Sequence, residues 1–200
     1  MAEKVVIYGF ETSNNFKVRV GLGYKGIPFE FVTIDPKDRS EIQKISGQPF
    51  TPVMVHGDVV LFDSAAILRY LDANFPGTPR LFGGDHGTMR QIEDWEFFGR
   101  VDLHQPLSIM VKQRISGIND PDATAQAAVL FAAGSERIEE HLANREWLVG
   151  DAMTAADVTV ASVVRRVREM GAFEVPEDRP RTYAWTARIM AYDPGPDGGD

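Results

Sequence analysis

Not one cysteine occurs in this 200-residue chain. Disulfides, cysteine-based zinc sites, iron–sulfur ligation and a cysteine nucleophile are therefore excluded. Long apolar runs are missing too: nowhere do about 18 apolar residues follow one another, the length a membrane-spanning helix needs. The opening residues, Met1-Ala2-Glu3-Lys4-Val5-Val6-Ile7-Tyr8, show no basic region ahead of a long apolar segment and no small-residue cleavage site. A soluble, cytoplasmic protein with no membrane partner is expected. Basic charge is scarce as well. The 21 basic residues against 29 acidic ones leave a net charge of −8, which argues against a nucleic-acid partner. His56, His86, His104 and His141 are scattered, without the H-E-x-x-H spacing of a metal site, and the G-x-S-x-G elbow of a serine hydrolase is absent. No metal is expected. These absences point toward an enzyme that activates a group its substrate carries.

What is present is ordinary for a globular protein: 44% hydrophobic and 25% charged residues, in a chain long enough to bury a core as one large domain or two small ones. The charge is unevenly placed. Residues 1–80 hold nine basic and nine acidic residues, so the whole excess of acid belongs to residues 81–200. The hydrophobic pattern divides at the same place. Strands are expected at Lys4–Tyr8, Phe29–Ile34, Thr51–Val55 and Val59–Phe62, the last two joined by a hairpin at His56-Gly57-Asp58. Helices are expected from Phe16 to a Gly26 C-cap, over Glu41–Ile45, and from an Asp63-Ser64 cap with Ile67, Tyr70 and Leu71 on the apolar face. Beyond a Pro/Gly-rich linker the strand signals stop. Thr88–Ile115 predicts one long helix kinked at Pro106, followed by helices over Ala123–Leu142, Asp151–Met170 and Pro180–Ala191. The expected division is 1–76 as an α/β domain, 77–87 as linker, 88–192 as an all-α domain and 193–200 as a mobile tail.

Four motifs bear on function. Gly21-Leu22-Gly23-Tyr24-Lys25-Gly26 matches G-x-G-x-x-G, but a strand pattern follows it instead of a helix start, so these glycines read as packing and capping residues of a helix. Thr51-Pro52 opens an apolar strand. Proline is tolerated at a strand start, and a cis bond here would equally turn the Thr51 main chain outward toward a peptide-like ligand. Asp63-Ser64 is an ordinary N-cap, or else a helix N-terminus and hydroxyl for a ligand carboxylate with Asp63 pairing an ammonium. Thr154-x-x-Asp157 is a capping box ahead of the apolar helix of Val158, Val160, Val163 and Val164, and its role is structural.

Taken in order, five features resemble the glutathione transferase superfamily. They are the opening strand with hydroxyl residues before Lys17-Val18-Arg19-Val20, Tyr24-Lys25-Gly26-Ile27-Pro28-Phe29-Glu30, Phe50-Thr51-Pro52-Val53, the Asp63-Ser64 helix start, and Gly150-Asp151 with Thr154-x-x-Asp157. The resemblance implies a thioredoxin-like N-terminal domain, an all-α C-terminal domain, a homodimer, and glutathione as cosubstrate for conjugation to a small electrophile. It places the thiol-activating hydroxyl on Thr12, with Ser13 adjacent. Thr51 and Pro52 are the implied partners of the cysteinyl unit, and Asp63 and Ser64 those of the amino-acid head group. Arg39 or Lys37 is implied at the glycine end. The second-substrate pocket is assigned to Trp95, Phe98 and His104. A glutathione-dependent isomerase of the zeta type is the alternative, though its Ser-Ser-Cys stretch is replaced here by Thr12-Ser13-Asn14. A non-catalytic, transferase-like module that binds a protein partner is the other.

Overall fold

The computed structural model describes residues 3–196, and they form two compact units. One comprises the chain up to Phe82 together with the segment from Met190 onward; the other is Gly83–Ile189.

In the first unit the order is β1 (Val5–Gly9), α1 (Ser13–Lys25), β2 (Phe29–Thr33), α2 (Ser40–Ser46), β3 (Val53–His56), β4 (Val59–Phe62) and α3 (Ser64–Asn74). The strands form one mixed sheet in the order β2-β1-β3-β4, with β1 and β2 parallel and the remaining pairs antiparallel. Two-residue periodicity decides which face each side chain serves. Val5 and Ile7 point into a core with Val18, Leu22, Ile67 and Leu71 from α1 and α3. Tyr8 and Phe10 alternate to the other face and pack with Ile34, Ile42 and Val53. The thioredoxin-like arrangement is therefore a sheet covered by α1 and α3 on one face and α2 on the other. Helix α1 closes as its sequence predicts, at Gly26 with φ 63°. A Cβ on Gly21 would overlap Leu68, and one on Gly23 would overlap the Tyr192 carbonyl. The G-x-G-x-x-G match is thus a close-packed helix with its cap.

The unit's edges differ from the expected division. Leu81 is fully buried and Phe82 nearly so, because Asp72 accepts hydrogen bonds from the Leu81 and Phe82 N–H groups and an ion pair from Lys25, which also donates to the Pro79 carbonyl. Residues assigned to a linker are therefore part of the core. The expected mobile tail is anchored at its start: Arg19 forms a two-pronged pair with Asp193 at 2.8 Å and reaches Glu11 at 3.1 Å. Burial works against the Arg19 charge, and the two carboxylates more than offset it, so its pKa lies above the ordinary value. Residues 197–200 lie outside the described residues.

The second unit is helical throughout: α4 (His86–Arg100), α5 (His104–Ser116), α6 (Pro121–His141), α7 (Ala155–Met170) and α8 (Pro180–Met190). The single kinked helix expected over 88–115 is two helices, broken at Val101–Leu103. Pro106 lies in the first turn of α5, where its missing N–H leaves no helical bond unmade. The buried helix α7 starts at the capping box read from sequence, present in both directions. The Asp157 carboxylate also accepts from the Leu148 N–H at 2.9 Å and the Trp185 Nε1 at 3.0 Å. Burial pushes its pKa up, against the pull of those donors. Helix α8 borrows its cap from α6: Glu139 accepts from the N–H groups of Arg181 and Thr182 and from the Thr182 hydroxyl. Although burial opposes it, those donors together with Arg181 hold the Glu139 carboxyl below the usual range.

Two outcomes follow from these carboxylates. Asp157→Ala strands four donors, the Leu148 and Thr154 N–H groups, the Thr154 hydroxyl and the Trp185 indole, and is expected to cost about 3 kcal/mol or more, read as a lower denaturant midpoint. Glu139 has a folded pKa below its unfolded value, so its contribution is present above pH 4.5 and fades as the pH falls through the depressed folded value. The stability gap between wild type and Glu139→Gln is therefore expected to close on acidification, which denaturation at stepped pH measures.

Candidate functional site

Three segments that the sequence singled out meet at one end of the sheet in the first unit. Thr12 is the N-cap of α1, with extended backbone, and its Oγ1 accepts from the Asn15 N–H at 3.3 Å. The Asn15 carboxamide nitrogen donates to the same Oγ1 at 2.8 Å and to Thr51 Oγ1 at 3.0 Å. Thr51 precedes Pro52 across a cis peptide bond. Ser64, at the first position of α3, donates weakly to Asn14 Oδ1 at 3.4 Å. The first turns of α1 and α3 are thus side by side, with the Thr51 loop against them. Each helix N-terminus presents unpaired N–H groups and a partial positive charge, so the place where they meet favours an anionic ligand.

Asp63 caps α3, its Oδ1 accepting from the Ala65 and Ala66 N–H groups at 2.9 and 3.1 Å. Its φ is 75°, the one positive value at a non-glycine among the described residues. Such a backbone is sparsely populated and costs on the order of 1–3 kcal/mol, and it concentrates where a ligand is gripped. The cap engages one carboxylate oxygen, Oδ1. Ser64 is buried and Asp63 exposed, an arrangement suited to a ligand carboxylate on one residue and an ammonium on the other. Ser13 is buried at the first position of α1. Arg39 lies with its guanidinium 4.3 Å from the centre of the Phe10 ring, between the end of β1 and Thr12 in chain order, whereas Lys37 is exposed on the preceding turn.

Of the residues assigned to a second-substrate pocket, Trp95 and Phe98 meet and His104 stands apart. Trp95 borders a cavity of about 690 Å³ with Asp94, Arg137 and His141. Phe98 is buried behind it, edge-on to Trp95 and stacked by Arg137. His104 does not line that cavity and pairs with Ser108 at 2.9 Å. Among the described residues no group of three or more His, Asp or Glu side chains could hold a metal ion. His56 and His141 are structural, bonded to Tyr70 and to the Leu148 carbonyl. The sequence signals do not single out Asn15, and none could have, since α1 also buries the polar Ser13, Lys17 and Arg19.

The family models for the glutathione S-transferase N-terminal and C-terminal domains match residues 7–79 and 122–193. A glutathione S-transferase of Triticum aestivum is 35% identical over 173 residues, covering 79% of this chain and 76% of its own. The chain belongs to the glutathione S-transferase family. Glutathione S-transferase Z1 of Arabidopsis thaliana is 28% identical over 167 residues, 80% of this chain and 75% of its own. In fold, the chain superimposes on glutathione transferase URE2P8 from Phanerochaete chrysosporium, solved with oxidized glutathione, at a TM-score of 0.81 and 19% identity, over 95% of this chain and 90% of the other. Among the described residues no helix is long and apolar enough to cross a membrane.

Proposed function

We propose that the protein conjugates the glutathione thiolate to a small electrophile, with Thr12 as the hydroxyl that favours the thiolate. The observation that carries this reading is the meeting of Thr12, Thr51 and the Asp63-Ser64 pair around two helix N-termini. In it, the Thr51 main chain pairs with the cysteinyl unit beside Pro52. Ser64 and the first turn of α3 hold the γ-glutamyl carboxylate, while Asp63 meets its ammonium. Arg39 takes the glycine carboxylate. A free thiol titrates at about 8.5, so only a few per cent is ionised at neutral pH. A donated hydroxyl hydrogen bond and the field of α1 both favour the anion. Lowering the pKa by about two units corresponds to roughly 2.7 kcal/mol of preference for the thiolate. The thiolate then attacks an electrophilic carbon, whose leaving group departs or whose π electrons move to an adjacent acceptor, and a thioether forms. For the electrophile we propose contacts from His104 and from the Trp95 side backed by Phe98.

The likeness to glutathione S-transferase Z1 favours isomerisation as a second reading. A panel of conjugation electrophiles and cis-dienoic acids decides between them, and inactivity with both, alongside tight glutathione binding, leaves a binding module. We also propose a homodimer. The aromatic residues Trp95 and Phe98 of α4 are turned inward and do not supply its interface. The supporting surface is instead Val60 and Phe62 on the edge strand β4, with Phe50, which is 73% exposed.

Three outcomes are expected. Sedimentation gives twice the 22.2 kDa chain mass, and a monomer at micromolar concentration counts against the dimer. Asp63→Asn keeps the helix cap and removes the charge, so calorimetry is expected to show roughly tenfold or greater loss of glutathione affinity with little change in denaturation midpoint. Equal affinity would leave Asp63 a cap alone. Thr12→Ala is expected to leave glutathione affinity nearly intact while slowing conjugation and raising the pH midpoint of thiolate absorbance. Ser13→Ala is the control: if it moves the midpoint and Thr12→Ala does not, Ser13 is the activating hydroxyl.

A further inference from the structure

The side chain of Asn15 is fully buried, and both hydrogens of its carboxamide are committed, one to Thr12 Oγ1 and one to Thr51 Oγ1. The carboxamide oxygen has no hydrogen-bond partner. It lies against Gly9, where a Cβ would overlap it. An unpaired buried acceptor is destabilising, so packing by itself does not account for this orientation. Its chemical consequence falls on Thr12. A hydroxyl accepts through two lone pairs and donates one hydrogen. The Asn15 N–H and the Asn15 carboxamide together occupy both acceptor positions of Thr12. Donation is the one hydrogen bond that hydroxyl has left.

That polarity matters to a sulfur ligand. A hydroxyl with a free lone pair can accept from a neutral S–H as well as donate to S⁻, and so discriminates poorly between them. A hydroxyl that can only donate favours the anion. We infer that Asn15 is a positioning residue that holds the Thr12 hydroxyl as an obligate donor toward the sulfur of bound glutathione, and so selects thiolate over thiol. This rests on the reading of the site as a glutathione site. The same amide ties Thr51 to Thr12, so the hydroxyl for the sulfur and the main chain for the cysteinyl unit are held by one side chain. A reversed amide would present its oxygen to both hydroxyls and draw the Thr12 proton away from the ligand. Asn15→Asp, nearly identical in shape, imposes that reversed polarity.

The test has two readouts on the intact protein. In the ligand-free state, the two Asn15 side-chain amide protons are expected to exchange slowly with water by NMR. One resonance shifts in Thr12→Val and the other in Thr51→Val. Amide resonances that ignore both substitutions overturn the inference. With glutathione bound, Asn15→Asp and Asn15→Ala are each expected to raise the pH midpoint of thiolate absorbance, Asn15→Asp by about one unit or more. Conjugation at neutral pH falls in kcat with a smaller change in the KM for glutathione. In a Thr12→Val background, Asn15→Ala should move the midpoint no further, because its effect passes through the hydroxyl. A shift in that background as large as in wild type, or an Asn15→Asp protein with the wild-type midpoint, overturns the inference. Wild-type protein that binds no glutathione sinks the functional reading and the thiolate role with it, and the amide resonances then decide the polarity of the hydroxyl alone.

Discussion

A single buried carboxamide joins the parts on which this site depends. Asn15 reaches the cap of its own helix at Thr12 and the loop ahead of β3 at Thr51 in one span. Its oxygen in turn requires that residue 9, at the end of β1, have no side chain. Strand end, helix start and proline loop are therefore constrained together, because both hydrogen bonds come from one fully buried side chain. The proposed action on one proton requires geometry held to a fraction of an ångström, and a buried amide with both hydrogens engaged provides that constraint.

The same principle, a polar side chain closing an open helix end, recurs through both units. Thr12, Asp63, Asp85, Asp120 and Thr154 cap the helices that follow them. Those at Asp63 and Thr154 were read from the sequence, since the capping residue lies within three positions of the groups it satisfies. Glu139 does the same work for α8 from 42 residues away, and Asp72 for the Leu81 and Phe82 amides across a turn of chain. No spacing rule reveals those two. They are set by which helix packs on which, and the burial of Leu81 and Phe82 within the expected linker at 77–87 has this cause.

The candidate site in the first unit is built from short, local arrangements on a sheet whose core is conventional. The second unit puts its aromatic residues mostly to structural use. Trp95, Phe98 and Arg137 stack on one another, and Asp157 binds α7, the Leu148 loop and α8 into one body. An aromatic helix face looks the same in sequence whether it meets a ligand, a partner or its own neighbours, and here the neighbours win through burial.

Alternation of two and of 3.6, the turn residues and the local caps determined the element order of the first unit, the change from mixed sheet to helices, and the positions of Thr51, Asp63 and Ser64, while Thr12 came from the family resemblance. These signals act between residues close in the chain, so composition and spacing contain them. Tertiary structure alone decided that Leu81 is core, that Asp193 is anchored to Arg19, that α4 and α5 are separate helices, and that Asn15 spans Thr12 and Thr51. Each of these depends on groups brought together from distant parts of the chain or on how a helix is packed. The physical reason is common to them: a buried charge or amide is stable only beside its partner, and which partner is available is settled when the elements pack.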